Sequence, residues 1–112
     1  MKINAKIKDL CRQIVENFNP QKVILFGSHA YGKPNEDSDV DLLVIMPFEG
    51  RNSQKAIEIL SKVKSGLPLD LLVRTSEQVK QRIEMEDFFM QDIVGKGKVL
   101  YEADDAGMDR KS

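Results

Sequence analysis

The chain has 112 residues, of which 41% are hydrophobic and 31% charged, a balance that suits one globular domain and argues against disorder. Seventeen basic and eighteen acidic residues give a net charge of -1 with no basic stripe, so direct binding to DNA or to an anionic membrane is not expected. With Cys11 as the one cysteine there is no internal disulfide. The longest apolar run, Leu42 to Met46, falls far below the ~20 residues of a spanning helix, and no signal-peptide core is visible, so a cytoplasmic protein is expected.

Ile3, Ile7, Leu10, Cys11, Ile14, Val15 and Phe18 recur at helical spacing, which predicts an amphipathic helix over residues 3–18 with Cys11 as a packed core thiol. Asn19-Pro20 ends it, because the residue before a proline disfavours the helical region. Lys22 to Phe26, bounded by Gly27, reads as a short buried strand. Residues 28–38, with Gly32, Pro34 and Asn35, read as a turn or a single short helical turn. Asp39 to Met46 is the second strand, stopped by Pro47. Asn52 or Ser53 then caps a helix to about Ser65, with Ile57, Leu60 and Val63 inward and Gly66 and Pro68 as stop signals. Leu69 to Val73 is a third strand. Thr75 with Gln78 three residues later forms a capping-box pattern that opens a helix to about Val94. Gly95 and Gly97 end that helix, and Lys98 to Tyr101 is expected as a short edge strand. The order predicts an α/β (α+β) fold, one domain over residues 1–102, with a small mixed sheet of about four strands packed with three main helices. Residues 103–112 are expected to form a disordered tail.

Side chains alternate across a strand, so Asp39 and Asp41 share a face, with Cα atoms roughly 6.6 Å apart. Leu43 and Ile45 continue that face into the core, which puts the two carboxylates at its rim. Asp70 is similarly placed within Leu69-Asp70-Leu71-Leu72. If the second and third strands are neighbours, all three carboxylates converge. Two carboxylates ~5 Å apart repel by about 3 kcal/mol at an effective dielectric of 20. Three without a cation either protonate or destabilise the domain. A hard divalent ion removes the conflict, and Mg²⁺ commonly combines a few carboxylates with substrate phosphates. The plain alternative is that Asp39 starts the strand, Asp41 pairs with a lysine and Asp70 faces solvent. Glu36 and Asp37 lie in the preceding turn and are expected in solvent.

Gly27 follows a strand, where the backbone can approach a ligand closely, and Ser28 adds a hydroxyl and an N–H suited to phosphate. Neither a Walker loop nor a dinucleotide fingerprint is present. Gly27-Ser28, ten intervening residues, Asp39-x-Asp41 and an apolar run together resemble the motif of the DNA polymerase beta-like nucleotidyltransferase superfamily. Within it the chain resembles the minimal nucleotidyltransferases, the small antitoxin partners of HEPN-domain toxins. The resemblance runs from the first strand to Val99-Leu100-Tyr101-Glu102, and Ala30, Gly32, Ser38 and Leu42 also sit where the family commonly has them.

The resemblance implies a nucleotidyltransferase fold in which Gly27 and Ser28 hold the triphosphate of ATP, with Lys33 and Ser38 as further nucleotide-binding positions. It implies that Asp39 and Asp41 ligate two Mg²⁺ ions, and that Asp70 completes the metal site and helps deprotonate the attacking hydroxyl. Relatives often carry arginine or lysine in the segment that here reads His29-Ala30-Tyr31-Gly32-Lys33, so phosphate neutralisation falls to Lys33 or to Arg74. His29 reads as a solvated bystander, since metal-assisted phosphoryl transfer asks little of a histidine. Tyr31 stacks on a base or lies free in a loop. With no acceptor-binding domain in view, the acceptor is expected on a partner, and the family precedent is AMP transfer from ATP to a tyrosine of the HEPN toxin. The competing reading is a binding-only antitoxin with a vestigial metal site; a small-molecule nucleotidyltransferase is the third. Met85, Phe88, Phe89 and Met90 crowd four bulky side chains into six positions, more than one stripe buries, so Met85 or Phe88 is a candidate partner contact.

Overall fold

In the computed structural model, which describes residues 4–32 and 39–103, the first helix, α1, spans Ala5–Phe18. The Asn4 side chain accepts from the Lys6 N–H at 2.7 Å and so satisfies one of the free donors of the first turn. Ile7, Leu10, Cys11 and Ile14 form the buried stripe, and Asn19 ends the helix in the left-handed region at φ 48°. The first strand, β1, is Lys22–Phe26, buried from Val23 onward. Gly27 then leads into a one-turn helix, α2, Ser28–Tyr31. β2 is Val40–Ile45, α3 is Asn52–Lys62 and β3 is Leu69–Arg74.

The four strands form one mixed sheet in the order β3-β2-β1-β4, where β4 is the expected edge strand at Lys98–Glu102. β1 runs antiparallel to both β2 and β4, while β2 and β3 are parallel. Alternation along the strands divides the apolar side chains between two faces. Val23, Leu25, Leu42 and Val44 pack with Ile7, Leu10 and Ile14 of α1 and Ile59 of α3. Ile24, Phe26, Leu43 and Ile45 face the other way, against Val79, Met90 and Ile93.

Two expectations are corrected. In α3 the inward residue is Ile59, whereas Ile57 and Leu60 are 64% and 41% exposed. Ala56, Ile59 and Val63 recur at i, i+3 and i+7 and pack on the core together; Ile57 and Leu60 belong to the adjoining stripe, which nothing covers among the described residues. The expected long helix to Val94 is two helices, α4 at Ser76–Glu84 and α5 at Phe88–Lys96, which makes four main helices and one single turn among the described residues. Glu86 stands in the left-handed region at φ 61°, and Asp87 restarts the helix by accepting from the Met90 N–H at 3.1 Å. The break re-aims α5 so that Met90 and Ile93 reach the sheet. The predicted capping box is present: Thr75 Oγ1 accepts from the Gln78 N–H at 3.1 Å and Gln78 Oε1 from the Thr75 N–H at 3.0 Å.

Cys11 is buried, as expected of a packed thiol. Among the described residues no helix is long and apolar enough to cross a membrane. Positions 104–112 of the expected tail lie outside the described residues.

Candidate active site

Three segments meet at one end of the sheet, because β1 finishes there and β2 and β3 begin there. The register sets Phe26 opposite Asp41 and Asp41 opposite Asp70. Paired residues on neighbouring strands project to the same side, so Phe26, Asp41 and Asp70 share the face that carries Leu43, Ile45 and Leu72 inward. The second and third strands are thus neighbours, and Asp41 and Asp70 come together. Asp41 is half-buried; Asp70 and Asp39, the residue just before β2, are exposed.

Gly27 has φ 75° and ψ -157°, a region essentially restricted to glycine. A Cβ there would overlap Asp41 Oδ2 and stand 3.1 Å from its Cγ, so glycine also makes room for the carboxylate. The turn that follows is closed by the Ala30 N–H donating to the Gly27 carbonyl at 3.0 Å and the Gly32 N–H donating to the Ser28 carbonyl at 2.9 Å. Ala30 is buried in the core shared with α1 and α3, which anchors Ser28 beside the end of β1.

The electrostatics follow from this crowding. Burial pushes the Asp41 pKa above the ordinary carboxylate value, and the charges of Asp70 and Asp39 push it the same way. A hydrogen bond between Asp41 and Asp70 adds to the rise, while His29 opposes it. His29 is half-buried and acts on Asp41 by charge, so it belongs to the site and is not the solvated bystander its turn position suggested. Among the described residues no three His, Cys, Asp or Glu side chains gather closely enough to hold a metal ion by themselves.

The other expected residues fall differently. Lys33, Ser38, Glu36 and Asp37 lie outside the described residues, as does the side chain of Tyr31. Arg74 stands four positions beyond Asp70, about 13 Å along β3 at 3.3 Å per residue, and pairs with Ile45 at the far end of the sheet. Its guanidinium donates to the Val73 carbonyl at 2.8 Å, and burial, then Arg82, lowers its pKa. It is therefore removed from the acidic cluster, which corrects its expected role beside the phosphates. Of Met85 and Phe88, one of which was expected at the surface, both are exposed. One neighbour of the site escaped the sequence pattern: Phe89 packs its ring on Phe26 with centroids 5.8 Å apart at 83°. Grooves of about 570 Å³ between α1 and β4 and about 490 Å³ between α3 and β3 lie elsewhere, lined by neither Gly27, Asp41 nor Asp70.

Comparison with known proteins gives this geometry a family. The profile of the nucleotidyltransferase domain matches residues 5–95. A Methanocaldococcus jannaschii protein assigned provisionally as a protein adenylyltransferase is 30% identical over 83 residues, 72% of this chain and 78% of its own. A second, of the same organism and the same provisional name, is 32% identical over 97 residues, 75% of this chain and 94% of its own. A solved structure of a provisionally assigned nucleotidyltransferase from Sulfolobus solfataricus shares the fold at a TM-score of 0.55 and 19% identity, covering 68% of this chain and 69% of that one. A toxin-antitoxin structure with AMP-PNP does so at 0.57 and 21%, covering 89% and 75%. The chain belongs to the nucleotidyltransferase domain family, and its enzyme class is nucleotidyltransferase.

Proposed function

We propose that the chain is a Mg²⁺-dependent protein adenylyltransferase, the antitoxin of a toxin-antitoxin pair, which transfers AMP from ATP to a tyrosine of a HEPN-domain toxin in the cytoplasm. The observation that carries the reading is the pairing of Asp41 with Asp70 on one sheet face, next to a glycine whose backbone and space admit no side chain. The names of the two archaeal relatives and the toxin-antitoxin neighbour support the acceptor class.

The acidic residues fit a hard divalent cation. Burial and two like charges raise the Asp41 carboxyl above its ordinary pKa, an effect His29 opposes, and oxygen donors crowded in this way suit a divalent cation. Asp39, Asp41 and Asp70 would hold Mg²⁺, with waters and substrate phosphates filling the remaining positions. When bound, two such ions stabilise charge on the attacking and leaving oxygens. The chain's own residues supply position. The Gly27 backbone and the Ser28 hydroxyl receive the triphosphate, with Lys33 and Ser38 as its further contacts. Asp70 accepts the proton of the acceptor hydroxyl. The acceptor oxygen forms its bond to the α-phosphorus as the bond from that phosphorus to the bridging oxygen breaks, and pyrophosphate leaves.

A second reading, a binding-only antitoxin, draws on the exposed Met85, Phe88 and Phe89, an apolar group suited to covering a partner. One experiment separates the two. The chain is purified with the product of the neighbouring gene, ATP and Mg²⁺ are added, and the intact partner is weighed. Transfer predicts a mass gain of one adenylyl group, lost with Asp41→Asn. No gain, together with Asp41→Asn silencing the partner as well as the natural chain does, would refute transfer and leave masking.

A further inference from the structure

The described residues assigned so far all address phosphate, metal or the acceptor proton; the one side chain named for the base, that of Tyr31, lies outside them. The side of the site formed by β1 and α5 supplies a surface for the base. Phe26 sits one strand spacing, about 4.8 Å, from Asp41 and on the same face. On Phe26 rests Phe89, edge to face, with its centroid 5.8 Å away. Phe89 is nevertheless 58% exposed, in a domain whose apolar side chains of that size are otherwise mostly covered. An edge-to-face contact holds a ring in a defined plane and occupies only part of its surface. Phe89 is therefore an aromatic ring seated on Phe26 and open to solvent over the rest of its surface, on the side of the sheet that carries Asp41. Phe88, its exposed neighbour, makes no ring contact among the described residues and has no such support.

We propose that Phe89, propped on Phe26, is the stacking platform for the base of the bound nucleoside triphosphate. The inference rests on the reading of Gly27, Ser28 and the acidic residues as a nucleotide site. It adds that affinity has a base-dependent part carried by one side chain outside the phosphate and metal machinery. Stacking on a phenyl face reads no hydrogen-bond edge, so this contact favours purines by area and discriminates weakly between adenine and guanine.

The test compares two ligands on the full chain by calorimetry in Mg²⁺: ATP, and inorganic tripolyphosphate, which has the phosphates without the base. Base–aromatic stacking is worth about 1–3 kcal/mol per base, so Phe89→Ala is expected to weaken ATP about 5- to 150-fold and to leave tripolyphosphate unchanged. Phe89→Leu, which keeps an apolar cover over Phe26 but has no ring, is expected to do the same. The chain has no tryptophan, so Phe89→Trp places a single indole at the platform. It should bind ATP at least as well as the natural chain, with fluorescence quenched by ATP and not by tripolyphosphate. Equal weakening of both ligands by Phe89→Leu, or undiminished ATP binding in both variants without quenching, overturns the platform while leaving the nucleotide site standing. Failure of the natural chain to bind either ligand overturns both.

Discussion

Gly27→Ala tests the link between backbone and site. The Gly27 backbone occupies a region essentially reserved for glycine, and placing another residue there costs about 1–3 kcal/mol. A second cost comes from Asp41, whose carboxylate fills the space a Cβ needs. Residues in contact couple by about 0.5–3 kcal/mol, so the total in the natural chain is about 1.5–6 kcal/mol. A domain near this size loses about 4–8 °C in Tm per kcal/mol, which makes the effect easy to read. The assay is urea unfolding of four chains: the natural one, Gly27→Ala, Asp41→Ala and the double variant. Without the carboxylate only the backbone strain remains, so Gly27→Ala should cost about 1–3 kcal/mol in the Asp41→Ala chain and more in the natural one. An identical cost in both backgrounds would remove Asp41 as the obstacle. A cost near zero in the natural chain would show that the turn tolerates a side chain, and the reasoning would fall with it.

Four further outcomes follow from the same structure. Asp41 has a folded pKa above its unfolded one, so its ionisation weakens the fold at every pH above the folded value, and the loss is recovered as pH falls through that value toward about 3.9. Asp41→Asn should therefore raise Tm at pH 7 and lose that advantage below about pH 4; a constant difference across the range contradicts the shift. Ile59→Ala should cost about 2–5 kcal/mol in urea unfolding and Ile57→Ala far less, since only Ile59 is buried; the reverse order would restore the expected face of α3. Thr75→Ala removes the cap of α4 and should cost about 1 kcal/mol, with no loss if Gln78 alone holds the helix end. Burial pushes the Cys11 thiol up, so alkylation at neutral pH should wait on unfolding by urea; rapid labelling of the native chain would contradict its place in the core.

β1 and β2 were legible because each is a short apolar run followed by a residue that a strand interior disfavours, Gly27 after β1 and Pro47 beyond β2. The acidic face was legible for a related reason: period-2 alternation makes Asp41, Leu43 and Ile45 one row whatever the partners are. What stayed hidden depends on tertiary contacts. Glu84 to Asp87 contains no breaker, and the helix turns at Glu86 because α5 must bring Met90 and Ile93 onto the sheet. The face of α3 was misread because Ile57, Leu60 and Val63 also fit a helical stripe. Their burial was decided by where α3 lies on β3, an edge strand, and the sequence carries no mark of that. His29 and Phe89 joined the site through contacts across the chain, His29 by its charge on Asp41 and Phe89 through Phe26.

The parallel pairing of β2 with β3 also governs when the site can exist. Gly27 and Asp41 meet through the antiparallel pairing of β1 with β2, which are consecutive strands in the chain. Asp70 joins them only after the chain has passed through all of α3 and laid β3 beside β2. Such non-local closure is slow, because the entropy of the loop is lost before the strand contacts compensate it. A chain that has emerged only as far as Met46 contains Gly27 and Asp41 but not Asp70. The complete acidic set therefore forms only once β3 has paired with β2.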